Sequence, residues 1–393
     1  MWEILFLLLP IAAFSGWYIG RKTSLQQASR KEQKLSGNYY SGLNYLLNEQ
    51  PDKAVDAFLQ ILDLDNEMIE IHLMLGNLFR RRGEVDRAIR IHQGLLARSA
   101  LSKTQKAIFL LELGKDYYNA GMYDRAEELF IRLIDIGEQQ LESSLDYLLN
   151  IYEQAHDWNK AIATAEKLQS LTNKNLSINI SHYYCELAEQ AKNQKDFKLA
   201  QKLSKKAIRI NKGCVRASIL YGNILKETGK YKQAIKLYKQ VYLQAPRYLS
   251  AAIAPMADCY KMLRDVGGLI GYLRGCLAAG RENPNMDNPY INKPPGIYAV
   301  LQFVELLNEE ESPQSAICYI TEYLREYPSL QGLNKVVELH LQEVAGKFRD
   351  DLHSVASLVK ELLVKEPRYK CASCGFPSNT LQWQCPGCRR WGV

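Results

Sequence analysis

The sequence predicts an all-α protein: stacked helical hairpins behind an N-terminal transmembrane helix, closed by a small C-terminal cysteine knuckle. Three observations carry this expectation. Residues 1–20 form an apolar run, a period near 34 residues marks the body of the chain, and residues 371–388 read CASCGFPSNTLQWQCPGC. A hydrophobic fraction of 47% with 24% charged residues is enough to bury a core. A length of 393 residues exceeds one ordinary core unless repeats extend it along an axis.

From Ile4 to Ile19 only Pro10, Ser15 and Gly16 interrupt the apolar run, and Arg21 with Lys22 ends it. At about 1.5 Å per residue this helix spans roughly 24–30 Å, enough for a bilayer core of about 30 Å. A signal peptide begins with basic residues, whereas Met1, Trp2 and Glu3 lead here and Arg21, Lys22, Arg30, Lys31 and Lys34 follow. The positive-inside rule therefore places the N-terminus outside and the bulk of the chain in the cytoplasm, as a single-pass protein. Trp2 and the Trp17-Tyr18 pair suit interfacial anchors. A cleaved leader or a buried core helix is the alternative for 1–20. Residues 21–38 are a polar juxtamembrane linker, with a reach of at most about 60 Å.

The scaffold is expected over 39–366. Gly42, Tyr45, Ala54 and Phe58 recur as Gly76, Phe79, Ala88 and His92, then as Gly114, Tyr117, Ala126 and Phe130. Frames at Leu149/Tyr152/Ala161, Ala188/Ala191/Ala200 and Gly222/Leu225/Ala234/Tyr238 continue the pattern. Weaker frames lie around Ala257/Tyr260/Leu269 and Val304/Leu307/Ala316/Pro328, and residues 333–365 supply a last helical pair. Small residues let two antiparallel helices touch, and large ones fill the space beside the contact. The turns RRGEVDR, NAGMYDR and ETGKYKQ each carry a Gly suited to the left-handed conformation after a helix. This pattern is similar to the tetratricopeptide repeat, and predicts a tetratricopeptide-repeat superhelix of eight or nine repeats. Residues 281–296, RENPNMDNPYINKPPG, break the period as an inserted loop, either functional or simply unstructured.

Such a stack binds rather than catalyses, through a concave face built from the first helix of each repeat. Candidate partner-binding positions are Asn77, Arg80, Lys115, Asn223 and Lys226. The carboxylate clamp known in this repeat class is not supported, because Ile108 and Glu112 stand where basic or amide groups are needed. Arg80, Arg81, Arg82, Arg87 and Arg90 form the densest basic cluster, read either as a solvated face or as a contact surface.

The knuckle is expected over 367–393. Two C-x2-C turns can bring four thiolates tetrahedrally onto one ion, so Cys371, Cys374, Cys385 and Cys388 are candidate metal ligands; disulfides are the alternative. Gly375 and the Pro386-Gly387 pair suit the tight turns. An S4 set fits iron or zinc alike. A module this small has little core, so the ion would contribute most of its folding free energy, on the order of 10 kcal/mol. Phe376, Leu381, Trp383 and Trp391 exceed what it can bury alone, which predicts docking on the final repeats. Cys185, Cys214, Cys259, Cys276 and Cys318 are unpaired by spacing and read as small core residues of a reducing compartment. His182 near Cys185 is weak support for chemistry.

The formal charge of +7 arises from 50 basic and 43 acidic residues, too mixed to indicate nucleic acid. No catalytic constellation appears, and the chain reads as non-enzymatic. An alternative is a membrane-tethered, rubredoxin-type electron-transfer protein with iron in the knuckle.

The order of anchor, repeats and knuckle, with the stretches LFLLLP, GWYIGR, DKAVDAFL, LGNLFRRRGEVDRAIRIHQ and CPGCRRW, resembles the lipopolysaccharide assembly protein B family of Gram-negative bacteria. The resemblance implies a non-enzymatic regulator in the bacterial inner membrane, with its N-terminus in the periplasm. It implies promotion of LpxC deacetylase degradation by the FtsH protease, possible organisation of other lipopolysaccharide-assembly proteins, and a rubredoxin-like domain whose ligands correspond to Cys371, Cys374, Cys385 and Cys388.

Overall fold

Ala54, Ala88, Ala126, Ala161, Ala200, Ala234 and Ala316, the small residues of the sequence frame, are all fully buried. Each sits where one helix of a hairpin must approach the other. The structure is a computed structural model that describes residues 37, 39–45, 47–48, 50–64, 69–97, 101–137, 140–282, 296–343, 347–364 and 367–392. The expected span at 1–20, nearly all of the 21–38 linker and most of the 281–296 insertion lie outside these residues. Among the described residues no helix is long and apolar enough to cross a membrane.

The chain divides into two compact units. The first, ending at His156, holds α1 (39–45), α2 (Pro51–Leu64), α3 (Ile69–Arg81), α4 (Val85–Leu96), α5 (Lys103–Asn119), α6 (Tyr123–Ile136) and α7 (Leu141–Gln154). The second begins with α8 (Trp158–Leu171), α9 (Ser177–Asn193), α10 (Phe197–Ile210), α11 (Val215–Glu227) and α12 (Tyr231–Gln244). A 3-10 turn at Pro246–Tyr248 leads to α13 (Leu249–Met262), α14 (Val266–Glu282), α15 (Ile297–Glu310), α16 (Pro313–Glu326), α17 (Leu330–Glu343) and α18 (Lys347–Val364). A two-stranded antiparallel sheet follows, β1 (Tyr369–Lys370) with β2 (Pro377–Ser378). Eighteen helices among the described residues match nine repeats of two helices, the upper of the two expected numbers.

The frame glycines are small because a ring lies on them. A Cβ at Gly114 would stand 2.7 Å from the Phe130 ring, and one at Gly222 would stand 2.5 Å from Tyr238. In the second repeat the ring is an imidazole: His92, fully buried, lies against Gly76. The three predicted turn glycines have positive φ, Gly83 at 80°, Gly121 at 74° and Gly229 at 74°. The same turn position in three other repeats is filled by His156, Lys195 and Arg264 at φ 54°, 64° and 58°. In these three repeats the turn takes a left-handed residue even where no glycine is present, whereas Glu311 in the turn between α15 and α16 has φ −110°. In the second unit one core runs from Val215 to Leu339 and includes Met256, Phe303 and Tyr238. Four of the five lone cysteines are buried, as expected; Cys318 is exposed, because it falls on the outer side of α16.

Candidate metal centre and the groove that holds it

The knuckle is made by short backbone hydrogen bonds rather than by a core. At its first turn Cys371 N–H donates to Phe376 O at 3.0 Å, Gly375 N–H donates to Cys371 O at 2.9 Å, and Gly375 has φ 75°. At the second, Cys385 N–H donates to Arg390 O at 2.9 Å and Arg389 N–H donates to Cys385 O at 2.8 Å. The left-handed residue there is Arg389, at φ 57°. The turn closes one residue beyond the second cysteine, as Gly375 does after the first.

These turns bring four sulfurs together. Cys371 Sγ lies 3.8 Å from Cys388 Sγ, Cys374 Sγ lies 3.5 Å from Cys385 Sγ, and all four are within 4.8 Å of one another. Four sulfurs each about 2.3 Å from one tetrahedral ion stand about 3.8 Å apart, so the spacing fits a shared ion. A disulfide needs about 2.05 Å. The thiols also differ in acidity in a way a cation would resolve. Cys371 is lowered to about 6, first by the Cys374 backbone N–H and also by that of Ser373. The Phe376 N–H acts to lower Cys374, but burial and its bonds to Cys385, Cys371 and Cys388 outweigh it and push that thiol up to about 12. Sulfurs this crowded do not ionise together without a metal. Cys371, Cys374, Cys385 and Cys388 would therefore hold one ion, whose role is to close the knuckle.

The same closing hairpin aims two tryptophans into the repeats. Gly392 N–H donates to Trp383 O at 2.9 Å and Gln384 bridges Trp391, so both rings are set by the turn that carries Cys385 and Cys388. Trp391 is 8% exposed. Its ring stacks on His182 at 5.0 Å and meets Trp158 and Tyr183 edge-on at 6.1 and 5.9 Å. The guanidinium of Arg216 lies 5.8 Å from the same ring. Trp383 packs on Tyr248 at 5.6 Å, Tyr369 stacks on Tyr298, and Arg368 lies 4.3 Å from the Tyr298 ring. Docking was expected on the final repeats. The contacts at Tyr298 on α15 fall in the eighth repeat, as expected; the others fall earlier, on α8, α9, α11 and the 3-10 turn, where an aromatic seat is available. His182, which had suggested chemistry, is a wall of this seat. Burial, and then the Arg216 charge, lowers it to about 3, so it is a neutral ring.

Arg216 is 5% exposed and stays charged. Burial opposes its charge, but Glu189 and Glu186 outweigh burial and raise its pKa. Its Nη2 lies 2.8 Å from Glu186 and 3.1 Å from Glu189. Beneath the seat, the Cys185 thiol hydrogen-bonds Cys214, which is lowered to about 6 mainly by that bond. Their separation of 29 positions carried no sequence signal for this contact.

The five concave candidates fall into two separate sets. In the first unit Arg80 Nη2 donates to Asn77 Oδ1 at 2.6 Å, Arg80 Nη1 pairs with Asp116 at 2.8 Å, and Arg80 also pairs with Glu112. Lys115 Nζ donates to Glu112 Oε1 at 2.7 Å. Burial opposes the Arg80 charge but Glu112 and Asp116 raise its pKa; burial likewise opposes Glu112, which Lys115 and Arg80 hold below the usual carboxylate range. Asp116, fully buried, also binds His92 Nδ1. In the second unit Tyr238 donates its hydroxyl to Asn223 Oδ1 at 2.8 Å, and Lys226 pairs with Asp258 at 2.8 Å. Lysine-carboxylate pairs continue across the following inner helices, Lys261 with Glu309 and Lys335 with Glu305. These charged groups stitch neighbouring repeats to each other. Glu112, Asp116 and Asp258 are the partners that sequence reasoning missed; a spacing of 32 to 36 residues, one repeat, was the available signal.

Comparison with known proteins agrees with this architecture. A family model described as a rubredoxin metal binding domain matches residues 369–392, and tetratricopeptide repeat models match 71–107 and 215–248. Lipopolysaccharide assembly protein B of Escherichia coli strain K12 is 38% identical over 394 residues, covering 100% of this chain and 97% of that protein. The protein of the same name from Haemophilus influenzae is 34% identical over 400 residues, with the same coverage. Among solved structures, a MamA protein covers 46% of this chain and 92% of its own at 20% identity, with a TM-score of 0.31. On full-length identity to these relatives, the chain belongs to the lipopolysaccharide assembly protein B family.

Proposed function

We propose that this protein is a membrane-anchored, non-enzymatic adaptor in lipopolysaccharide assembly at the bacterial inner membrane. The observation that carries the reading is identity along the whole chain to proteins named for that process. The architecture supports it. Helical repeats offer extended surface, and the tryptophan face of the cysteine knuckle is packed against them. The relatives' names lend nothing to the electron-transfer alternative.

In this reading residues 1–20 span the membrane with the N-terminus in the periplasm, and the repeats work in the cytoplasm. The adaptor promotes degradation of the LpxC deacetylase by the FtsH protease and coordinates other lipopolysaccharide-assembly proteins. A linker reaching about 60 Å confines the repeats near the membrane, with an effective concentration toward a membrane protease on the order of millimolar. Modest affinity for each partner then suffices. The ion is structural, and iron or zinc would satisfy the four thiolates.

The test is removal of residues 1–20 with expression held at the native level. The expected outcome is an intact fold and loss of control over LpxC abundance. A soluble form that still restrained LpxC would exclude tethering, and labelling of the bulk of the chain from the periplasmic side would exclude the orientation.

A further inference from the structure

A cleft of about 170 Å³ lies between the knuckle and the repeats in the second unit. Arg247 and Tyr248 form one wall; Tyr369, Lys370, Phe376 and Leu381 are on the other. Cys371 and Cys385 of the metal centre also line it, and no carboxylate does. That sets its cations apart from Arg216, Lys226, Lys261 and Lys335, each matched to an acidic partner on a neighbouring helix. Arg247 lies 4.8 Å from the Tyr248 ring and, among the described residues, neither it nor Lys370 has an acidic partner.

The wider charge balance points the same way. Residues 367–392 contain Arg368, Lys370, Arg389 and Arg390 and not one Asp or Glu. A divalent ion on four thiolates contributes a charge of about −2, which leaves the loaded knuckle near +2 before Arg247 is counted. With Arg247 added, the charge around the cleft stays positive even with the metal in place, although of these cations only Arg247 and Lys370 line the cleft itself.

Two cations lining one cleft suit a dianion, and the rings suit a flat or aliphatic body attached to it. We propose that this cleft binds a phosphate monoester, held by Arg247 and Lys370 through its phosphate and by Tyr248, Tyr369 and Phe376 through its organic part. A phosphate monoester carries about −1.5 to −2 at neutral pH. Arginine grips such a group in a fork and lysine as a point charge. The cleft borders the metal centre through Cys371 and Cys385, and the proposal goes beyond the adaptor reading.

The probes are phenyl phosphate in solution, followed by calorimetry, and phosphatidylcholine vesicles doped with phosphatidic acid, followed by flotation. They distinguish a soluble ester from a lipid headgroup. Arg247→Gln and Lys370→Gln are both at exposed side chains, and Lys198→Gln on α10 controls for general charge. Metal content is measured on every variant. The expected result is saturable binding of one probe or both, weakened about tenfold by each cleft variant and unchanged by Lys198→Gln. Absence of saturable binding to both probes, or binding indifferent to Arg247→Gln and Lys370→Gln, overturns the proposal.

Discussion

Replacing Trp391 by alanine tests how the knuckle and the repeats depend on each other. The indole is 8% exposed and touches His182, Trp158, Tyr183 and Arg216. Truncating a buried tryptophan costs about 3–5 kcal/mol. Most of that loss falls on docking, since Trp391 belongs to a module with almost no core of its own. If the knuckle folds only with its ion, docking and metal binding share one free energy, and about 1.4 kcal/mol is tenfold in affinity. Trp391→Ala should therefore weaken metal retention by about a hundredfold or more. Chelator competition measures that, and hydrogen exchange should rise in residues 369–392 and in α9 and α11. Phe348→Ala on α18 is the control, because Phe348 is 63% exposed and its loss should change stability by less than about 0.5 kcal/mol. Metal affinity within a factor of two of the parent, with exchange in α9 and α11 unaltered, would refute the coupling.

His182 supplies a pH dependence. Its folded value is about 3, against 6.5 for an ordinary histidine, so the unfolded chain binds the extra proton first. Stability from this group is complete above about pH 6.5 and declines as pH falls toward 3, by roughly 2 kcal/mol at about pH 5. Urea unfolding of the parent and of His182→Phe at neutral and mildly acidic pH should show the difference shrinking in the variant; equal pH slopes would count against a neutral seat. Lys195, at φ 64° in the turn position that Gly83, Gly121 and Gly229 fill elsewhere, should accept glycine with a gain of about 1 kcal/mol. A lowered melting temperature for Lys195→Gly would mean the left-handed backbone is not strained.

The helical hairpins and the metal ligands were legible because their signals are local or periodic. Gly114 and Phe130 sit one contact apart within a single frame, and each C-x2-C pair spans a single turn, so spacing alone reports them. The knuckle's place in the fold was not legible. Trp391 showed an apolar surplus without an address, since its seat is assembled from Trp158, His182, Tyr183 and Arg216 on three helices. Arg80 looked like a free cation because its partners Glu112 and Asp116 lie one repeat away on a neighbouring helix, and Lys115 because its partner Glu112, on the same helix, was not read as one.

By itself the sequence determined which segments are helical, where they turn and which sulfurs converge, because those choices depend on backbone sterics and on neighbours within one repeat. The tertiary structure decided that the cysteine tip rests on α8, α9, α11 and α15 of the second unit and that the inner charges pair with each other. Both depend on which surfaces the folded chain brings within a few ångströms, a distance that separation along the sequence does not encode.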